Sequence, residues 1–342
     1  MYFEFVLIFI FSLVWVGLIK YCAPKIGFMD IPNGRSTHCS ITPRGAGIGF
    51  YLAAAIILPL FHFDYILSNF WTFLAIFLVF FIGVLDDHHD ASPNTKFIVL
   101  ALSSLLLSLD GVIIDDLGIF FGVHITLGWL ALPFTVFAVV GFTNALNLID
   151  GLDGLAATVS IVILGTFFTV GYWNDDFFMM MISMAFISSL LAFLVFNWHP
   201  ASIFMGDSGS LTLGFVIAVL AIKSLAYLPT VSILFITAIP LFDTLIVMIR
   251  RKLNGRSAFS ADRCHIHHIL RHFFAEDTKK TVLFLGVFQM IYSLTGVQLD
   301  KNMDEGYLLI QFILNIVLIY LFLGAMIKRQ NRKCWPLKNS GI

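Results

Sequence analysis

Apolar stretches about as long as a bilayer-crossing helix, roughly 20 residues, recur along the whole chain and are parted by short polar breaks. Eleven can be drawn, at residues 2–19, 45–61, 66–85, 96–109, 128–146, 155–172, 177–196, 211–228, 230–249, 281–297 and 307–327. The pattern predicts an all-α, polytopic integral membrane protein with about eleven transmembrane helices. It is weakest at the fourth stretch, which is short, and at the fifth, which is followed by glycine-rich sequence.

Composition points the same way. Of 342 residues 59% are hydrophobic and 12% charged, against roughly 45–50% and about 25% in soluble domains. A water-soluble fold of this size would lack its polar shell, whereas lipid accepts an apolar exterior. No internal repeat or low-complexity segment divides the sequence, so one membrane domain over residues 1–342 is expected. The first stretch has Glu4 near its start and Lys20 and Lys25 behind it. That is the reverse of the basic start of a secretory signal, and the stretch is read as a retained span. The formal charge of −1 offers no footprint for nucleic acid.

This small net charge hides an asymmetry. With the N-terminus outside, the loops of one face collect 18 of the 20 Lys and Arg residues, and only Lys223 and Lys301 fall outward. Basic residues are retained on the cytoplasmic side, so this face and the C-terminus are expected inside. Cys22, Cys39, Cys264 and Cys334 lie in or beside the same loops. Thiols stay reduced there, and neither a disulfide nor a cysteine-based metal site is indicated. The outward breaks at 110–116 and 173–176 are short and acidic and read as connectors.

Five polar clusters remain once the spans are removed, and all map to the inner face. The first holds Asp30, Arg35 and His38, then Thr42-Pro43-Arg44-Gly45; basic and small residues suit an anionic head group, although any positive-inside loop looks similar. The second is Asp86-Asp87-His88-His89-Asp90 with Lys96 beyond it. Adjacent carboxylates at a membrane edge imply a bound cation or a shared proton, unless the segment is simply a solvated loop start. In the third, Asn147, Asp150 and Asp153 recur every three residues while Gly151 and Gly154 favour a turn, so the acids converge on either geometry.

The fourth cluster runs from Asn197 and His199 to Gly206-Asp207-Ser208-Gly209-Ser210. Glycines beside an acid at a helix start suit a metal-phosphate cradle, with a plain turn as the bland alternative. The fifth extends from Asp243 through Arg250 to Arg263, His265, His267 and His268. Phosphate binding by Arg and His fits it better than zinc, because nothing completes a tetrahedral ligand set. Acids for a hard divalent cation, together with cations and backbone donors for phosphate, are what phosphoryl transfer needs.

At these residues the chain resembles the polyprenyl-phosphate N-acetylhexosamine-1-phosphate transferases, a glycosyltransferase 4 family whose members start O-antigen, common antigen, teichoic acid and peptidoglycan lipid synthesis. The segments "DIPNGRSTH", "TPRGAG", "GVLDDHHDASPNTK", "NALNLIDGLDGLA", "NWHPASIFMGDSGSLTLGF" and "ADRCHIHHIL" stand in the family's order and spacing. The resemblance implies a bacterial inner-membrane enzyme with a cytoplasmic-face active site. In it a polyprenyl phosphate such as undecaprenyl phosphate attacks the β-phosphorus of a UDP-N-acetylhexosamine and UMP leaves. Mg²⁺ is the implied cofactor, with Mn²⁺ as a substitute and Asp207, Asp86 and Asp87 as its ligands, one of the paired acids doubling as a candidate base. Arg35, His38, Lys96, Asn147, Asp150, Asp153, Asn197 and Arg263 would bind substrate. His265, His267 and His268 would act at the diphosphate and sugar. The "DRCHIHH" run resembles the branch that uses UDP-N-acetylglucosamine; "RGAG" in place of a double glycine and His88-His89 after the acids depart from the usual pattern. The bilayer is a further partner and homodimerisation is compatible with this reading.

Two other readings compete. Asp86 to Asp90 also fits the DDxxD pattern of membrane prenyltransferases, which have no use for the Gly206 to Ser210 cradle. A transporter would explain many spans, but transport sites lie near the bilayer midplane, whereas these acids gather at one face.

Overall fold

The computed structural model describes residues 2–32, 40–255, 257 and 265–329. Among these residues nine helices are long and apolar enough to cross a membrane. They are α1 (Tyr2–Ile26), α2 (Ala46–Ser68), α3 (Phe70–His89), α5 (Ala131–Ile149), α6 (Leu155–Trp173), α7 (Phe177–Asn197), α8 (Asp207–Ser224), α12 (Thr278–Val297) and α13 (Glu305–Arg329). The all-α, polytopic expectation holds.

Two expected spans take other forms. The fourth is α4 (Pro93–Leu107), a 15-residue helix about 22 Å long at 1.5 Å per residue, short of the hydrocarbon thickness. Its Ser103 and Ser104 are fully buried, so it packs inside the bundle between α3 and α5 instead of meeting lipid all round. The ninth is broken into α9 (Thr230–Ile236) and α10 (Ala238–Leu253), bent by 87°. The physical cause is Pro240, which lacks the N–H that would bond to the Ile236 carbonyl four residues back. Gln289 of α12 makes good the break. Its Nε2 donates to the Ile236 carbonyl at 2.7 Å and its Oε1 accepts from the Ile239 N–H at 2.9 Å. In a membrane interior such substitutes are required, because lipid supplies no hydrogen bonds.

Helix α8 is the axis of the molecule. In its span 89% of residues are buried, against 17% for α1 and 22% for α13, which face outward. It contacts α2, α3, α5, α6 and α7, and its N-terminus is approached very closely. A Cβ on Gly83 of α3 would stand 2.6 Å from the Asp207 carbonyl, and one on Gly47 of α2 would collide with the Gly209 backbone. Both glycines therefore let backbones touch where the acidic clusters meet.

The remaining elements are short. Strands β1 (Met29–Asp30) and β2 (Thr42–Pro43) pair antiparallel on the side of the bundle that holds the acids. On the opposite side β3 (Asp116–Phe120) and β4 (Val123–Thr126) form a hairpin. Its turn residues Phe121 and Gly122, with φ of 51° and 79°, give their N–H groups to the carboxylate of Asp304, at 2.9 Å each. The hairpin begins where the connector expected at 110–116 ends. Amphipathic α11 (Ile266–Phe273) carries His267 and His268 in its first turn, with His265 just before it.

Candidate active site

Four helix ends and one turn deliver the polar groups of the site. Asp86 and Asp87 occupy the last turn of α3, Lys96 the first turn of α4, Asn147 the last turn of α5, Asp150 and Asp153 the turn before α6, and Asp207 the first position of α8. The central contact is ionic. Lys96 Nζ lies 3.0 Å from Asp86 Oδ1 and 2.9 Å from Asp207 Oδ2. Asn147 Nδ2 donates to the second oxygen of Asp207 at 3.0 Å and to Ser210 Oγ at 2.8 Å.

The paired acids have different duties. Asp87 accepts from the backbone N–H groups of Asp207 and Ser208, at 2.8 and 3.0 Å. It caps α8, supplying partners for orphan donors and a negative charge at the positive end of the helix. Gly206, with φ of 74°, is needed just before it, because a Cβ there would run into the Asp87 carboxylate. Asp86 points instead to Lys96.

A cavity of about 320 Å³ opens beside these groups. Asp87, Asn147, Asp150, Asp153, Asn197 and Asp207 border it, with Arg44 and His268 also on its wall. Among the described residues no cation or hydrogen-bond donor pairs with the Asp150 carboxylate. Burial, reinforced by the charges of Asp207, Asp87 and Asp153, pushes its pKa up to about 7. Asp153 is occupied: its Oδ2 receives His199 Nδ1 at 2.7 Å and the Ala201 N–H at 3.0 Å. Asn197 brackets two loops, accepting from the Gly154 N–H at 2.8 Å and donating to the Ile203 carbonyl at 2.9 Å.

The three histidines expected to act together stand at different depths. His268 lines the cavity, whereas His265 and His267 are buried behind it. His267 rests against the acidic turn, where a Cβ on Gly151 would meet its Nε2 at 2.7 Å. Burial lowers its pKa to about 3 against the opposing pull of Asp243, and His268 and His265 push it down further, so this ring is neutral at physiological pH. Arg35, His38 and Arg263 lie outside the described residues.

Two residues gain importance from the structure. Arg44 reaches the cavity wall while its guanidinium holds Asp90 at 3.1 Å. Asp243, buried in α10, binds His265. Each stood inside a polar cluster in the sequence, and an acid within an apolar span is itself a signal. Among the described residues no three His, Cys, Asp or Glu side chains form a ready-made metal cage.

The ends of membrane helices thus build one acidic cavity beside a bridging lysine, the candidate site of a polytopic membrane protein. Comparison with known proteins gives the family. Residues 69–225 match the glycosyl transferase family 4. The chain is 34% identical over 322 residues to the probable undecaprenyl-phosphate N-acetylglucosaminyl 1-phosphate transferase of Bacillus subtilis, covering 91% of this chain and 89% of that one. It is 32% identical to the undecaprenyl-phosphate alpha-N-acetylglucosaminyl 1-phosphate transferase of Yersinia pestis, over 78% of this chain and 76% of the relative. The like-named protein of Escherichia coli K12 is 30% identical over 78% of this chain and 75% of its own length. The chain belongs to glycosyl transferase family 4.

Proposed function

We propose that this protein transfers N-acetylglucosamine-1-phosphate from UDP-N-acetylglucosamine to undecaprenyl phosphate, releasing UMP. The relatives' names support both the acceptor and the transferred group. The observation that carries the reading is the cluster of Lys96, Asp86, Asp207 and unpartnered Asp150 around one cavity where membrane helices end. A lipid phosphate and a water-soluble nucleotide can meet there and nowhere deeper.

In the reaction an oxygen of the acceptor phosphate forms a bond to the donor's β-phosphorus, and the bond between that phosphorus and the UMP oxygen breaks. The protein's part is positioning and charge. Lys96 ties Asp86 at the end of α3 to Asp207 at the start of α8, and Arg44 and His268 offer cavity-facing donors to a diphosphate. Asp87 keeps α8 aimed at the site through its cap.

The acids also fit a divalent cation of the Mg²⁺ kind. Mg²⁺ is usually held by one or two carboxylates, with water and substrate phosphates completing its shell, so it needs no closed protein cage. Asp207 and the unpaired Asp150 would hold it, with Asp86 within reach through Lys96. Bound there, the cation would neutralise charge on the diphosphate.

We place the site on the cytoplasmic face of a bacterial inner membrane, because 18 of 20 basic residues share its side of the chain. Labelling of Cys264 by an impermeant thiol reagent in intact cells would put the segment on the wrong face. The function itself is tested by offering purified protein a panel of UDP-sugars with undecaprenyl phosphate and identifying the lipid product by mass. The expected result is a lipid diphospho-N-acetylglucosamine and stoichiometric UMP, abolished by chelation and restored by Mg²⁺. Release of inorganic pyrophosphate, or no lipid product, overturns it.

A further inference from the structure

Asp243 lies on α10 beyond the bend, with a side chain only 1% exposed. A carboxylate buried among Ile239, Phe242 and Ile246 needs a donor for each oxygen. One short segment supplies both. Nδ1 of His265 donates to Oδ2 at 2.6 Å, and the backbone N–H of Ile266, which opens α11, donates to Oδ1 at 2.5 Å.

This pairing assigns a tautomer. An ionised carboxylate only accepts, so Nδ1 of His265 carries a proton, and the neutral ring held this way has its lone pair on Nε2. The order then passes along the histidine row. The His265 ring stacks on His267 at 5.5 Å, His267 lies 4.3 Å from His268, and His268 forms part of the cavity wall.

We infer that Asp243 is a positioning residue of the transfer reaction, fixing His265 as its Nδ1–H tautomer and anchoring the histidine row against the Asp150 turn. The inference rests on the transferase reading above. A purely structural role makes a different prediction for Asp243→Asn. The amide oxygen can still accept from Ile266, and the amide nitrogen can donate to His265 Nδ1 if that ring adopts its other tautomer. Both hydrogen bonds and the packing survive, and what disappears is the lone pair on Nε2.

Wild type, Asp243→Asn, His265→Gln and the double variant are therefore compared as purified full-length proteins. The readouts are kcat and KM with UDP-N-acetylglucosamine and undecaprenyl phosphate, the unfolding temperature, and ¹⁵N-histidine NMR of the His265 ring. We expect Asp243→Asn to unfold as wild type does, to carry its His265 proton on Nε2, and to lose on the order of 10² to 10⁴-fold in kcat with little change in donor KM. The double variant should be no slower than His265→Gln alone, because one residue acts through the other. Wild-type turnover in Asp243→Asn, losses that multiply in the double variant, or an Nε2–H His265 in the wild type would each overturn the inference. The tautomer is read without substrate, so a wild type that makes no lipid product overturns the transferase reading separately.

Discussion

Lys96 Nζ stands 2.9 Å from Asp207 Oδ2, joining the first turn of α4 to the first residue of α8 across 111 positions of sequence. The same ammonium holds Asp86 at 3.0 Å, so one positive charge serves two carboxylates that burial and mutual repulsion would otherwise protonate or separate. Lys96→Met should cut turnover by at least about 10²-fold. It should also lower stability by about 1–2 kcal/mol, less than the 3–5 of a fully buried broken pair because these side chains stay partly wet. Thermal unfolding in detergent and UMP release check both. Lys96→Arg, which keeps the charge in a wider fork, should regain stability before it regains rate.

Asp86 and Asp87 are adjacent in sequence, yet their substitutions should be told apart. Asp87 spends both oxygens on the N–H groups of Asp207 and Ser208, so Asp87→Asn leaves a donor of α8 facing an amide. A loss of about 1–2 kcal/mol is expected, on the scale of a removed cap or an orphaned buried donor. Asp86→Asn keeps the cap and loses the charge opposite Lys96, so it should fold normally and turn over poorly. Equal unfolding temperatures for the two variants would contradict the division of labour.

Much of this architecture was legible because span length and the placement of basic residues obey the bilayer, and because helix ends on one face have to share a site. The structure brings the residues that this logic gathered, Asp86, Asp87, Lys96, Asn147, Asp150 and Asp207, to one place. It failed where partners are remote. Helix α2 was expected to stop near 61, before His62 and Asp64, but it continues through a kink at His62, whose ring meets Glu4 at 2.7 Å. The β3–β4 hairpin depends on Asp304, more than 180 positions from the turn that it holds. Nothing local in the sequence says that Asn197 would serve as a loop bracket, or that Asp243 would meet His265.

His267 gives the molecule a pH signature. Its folded pKa of about 3 lies below the ordinary value near 6.5, because burial penalises the charged ring more than Asp243 supports it, with His265 and His268 adding further repulsion. Below about pH 6.5 the unfolded chain takes up a proton that the folded protein refuses, so this residue's contribution to stability falls as pH drops from about 6.5 towards 3. His267→Gln should flatten that part of the profile. A wild type and variant with parallel unfolding temperatures from pH 7 to pH 5 would show that the ring already carries a proton in the folded state.

The size of the cavity bears on the proposed donor sugar. The cavity of about 320 Å³ is at the small end of ligand pockets, roughly 300–1,000 Å³, and its polar wall consists of acids, Asn147, Asn197, Arg44 and His268. Those groups suit a diphosphate and a compact acetamido sugar, and among the described residues they form no extended groove for a peptide. UDP-N-acetylglucosamine should therefore be turned over far faster than UDP-N-acetylmuramoyl-pentapeptide. Sites that leave polar groups unpaired against a wrong ligand can discriminate by about 10⁴-fold, and competition between the two donors, followed by mass analysis of the lipid product, measures the ratio directly. Faster turnover of the peptide-bearing donor would reassign the branch of the family while leaving the sugar-phosphate transfer, the lysine bridge and the α8 cap in place.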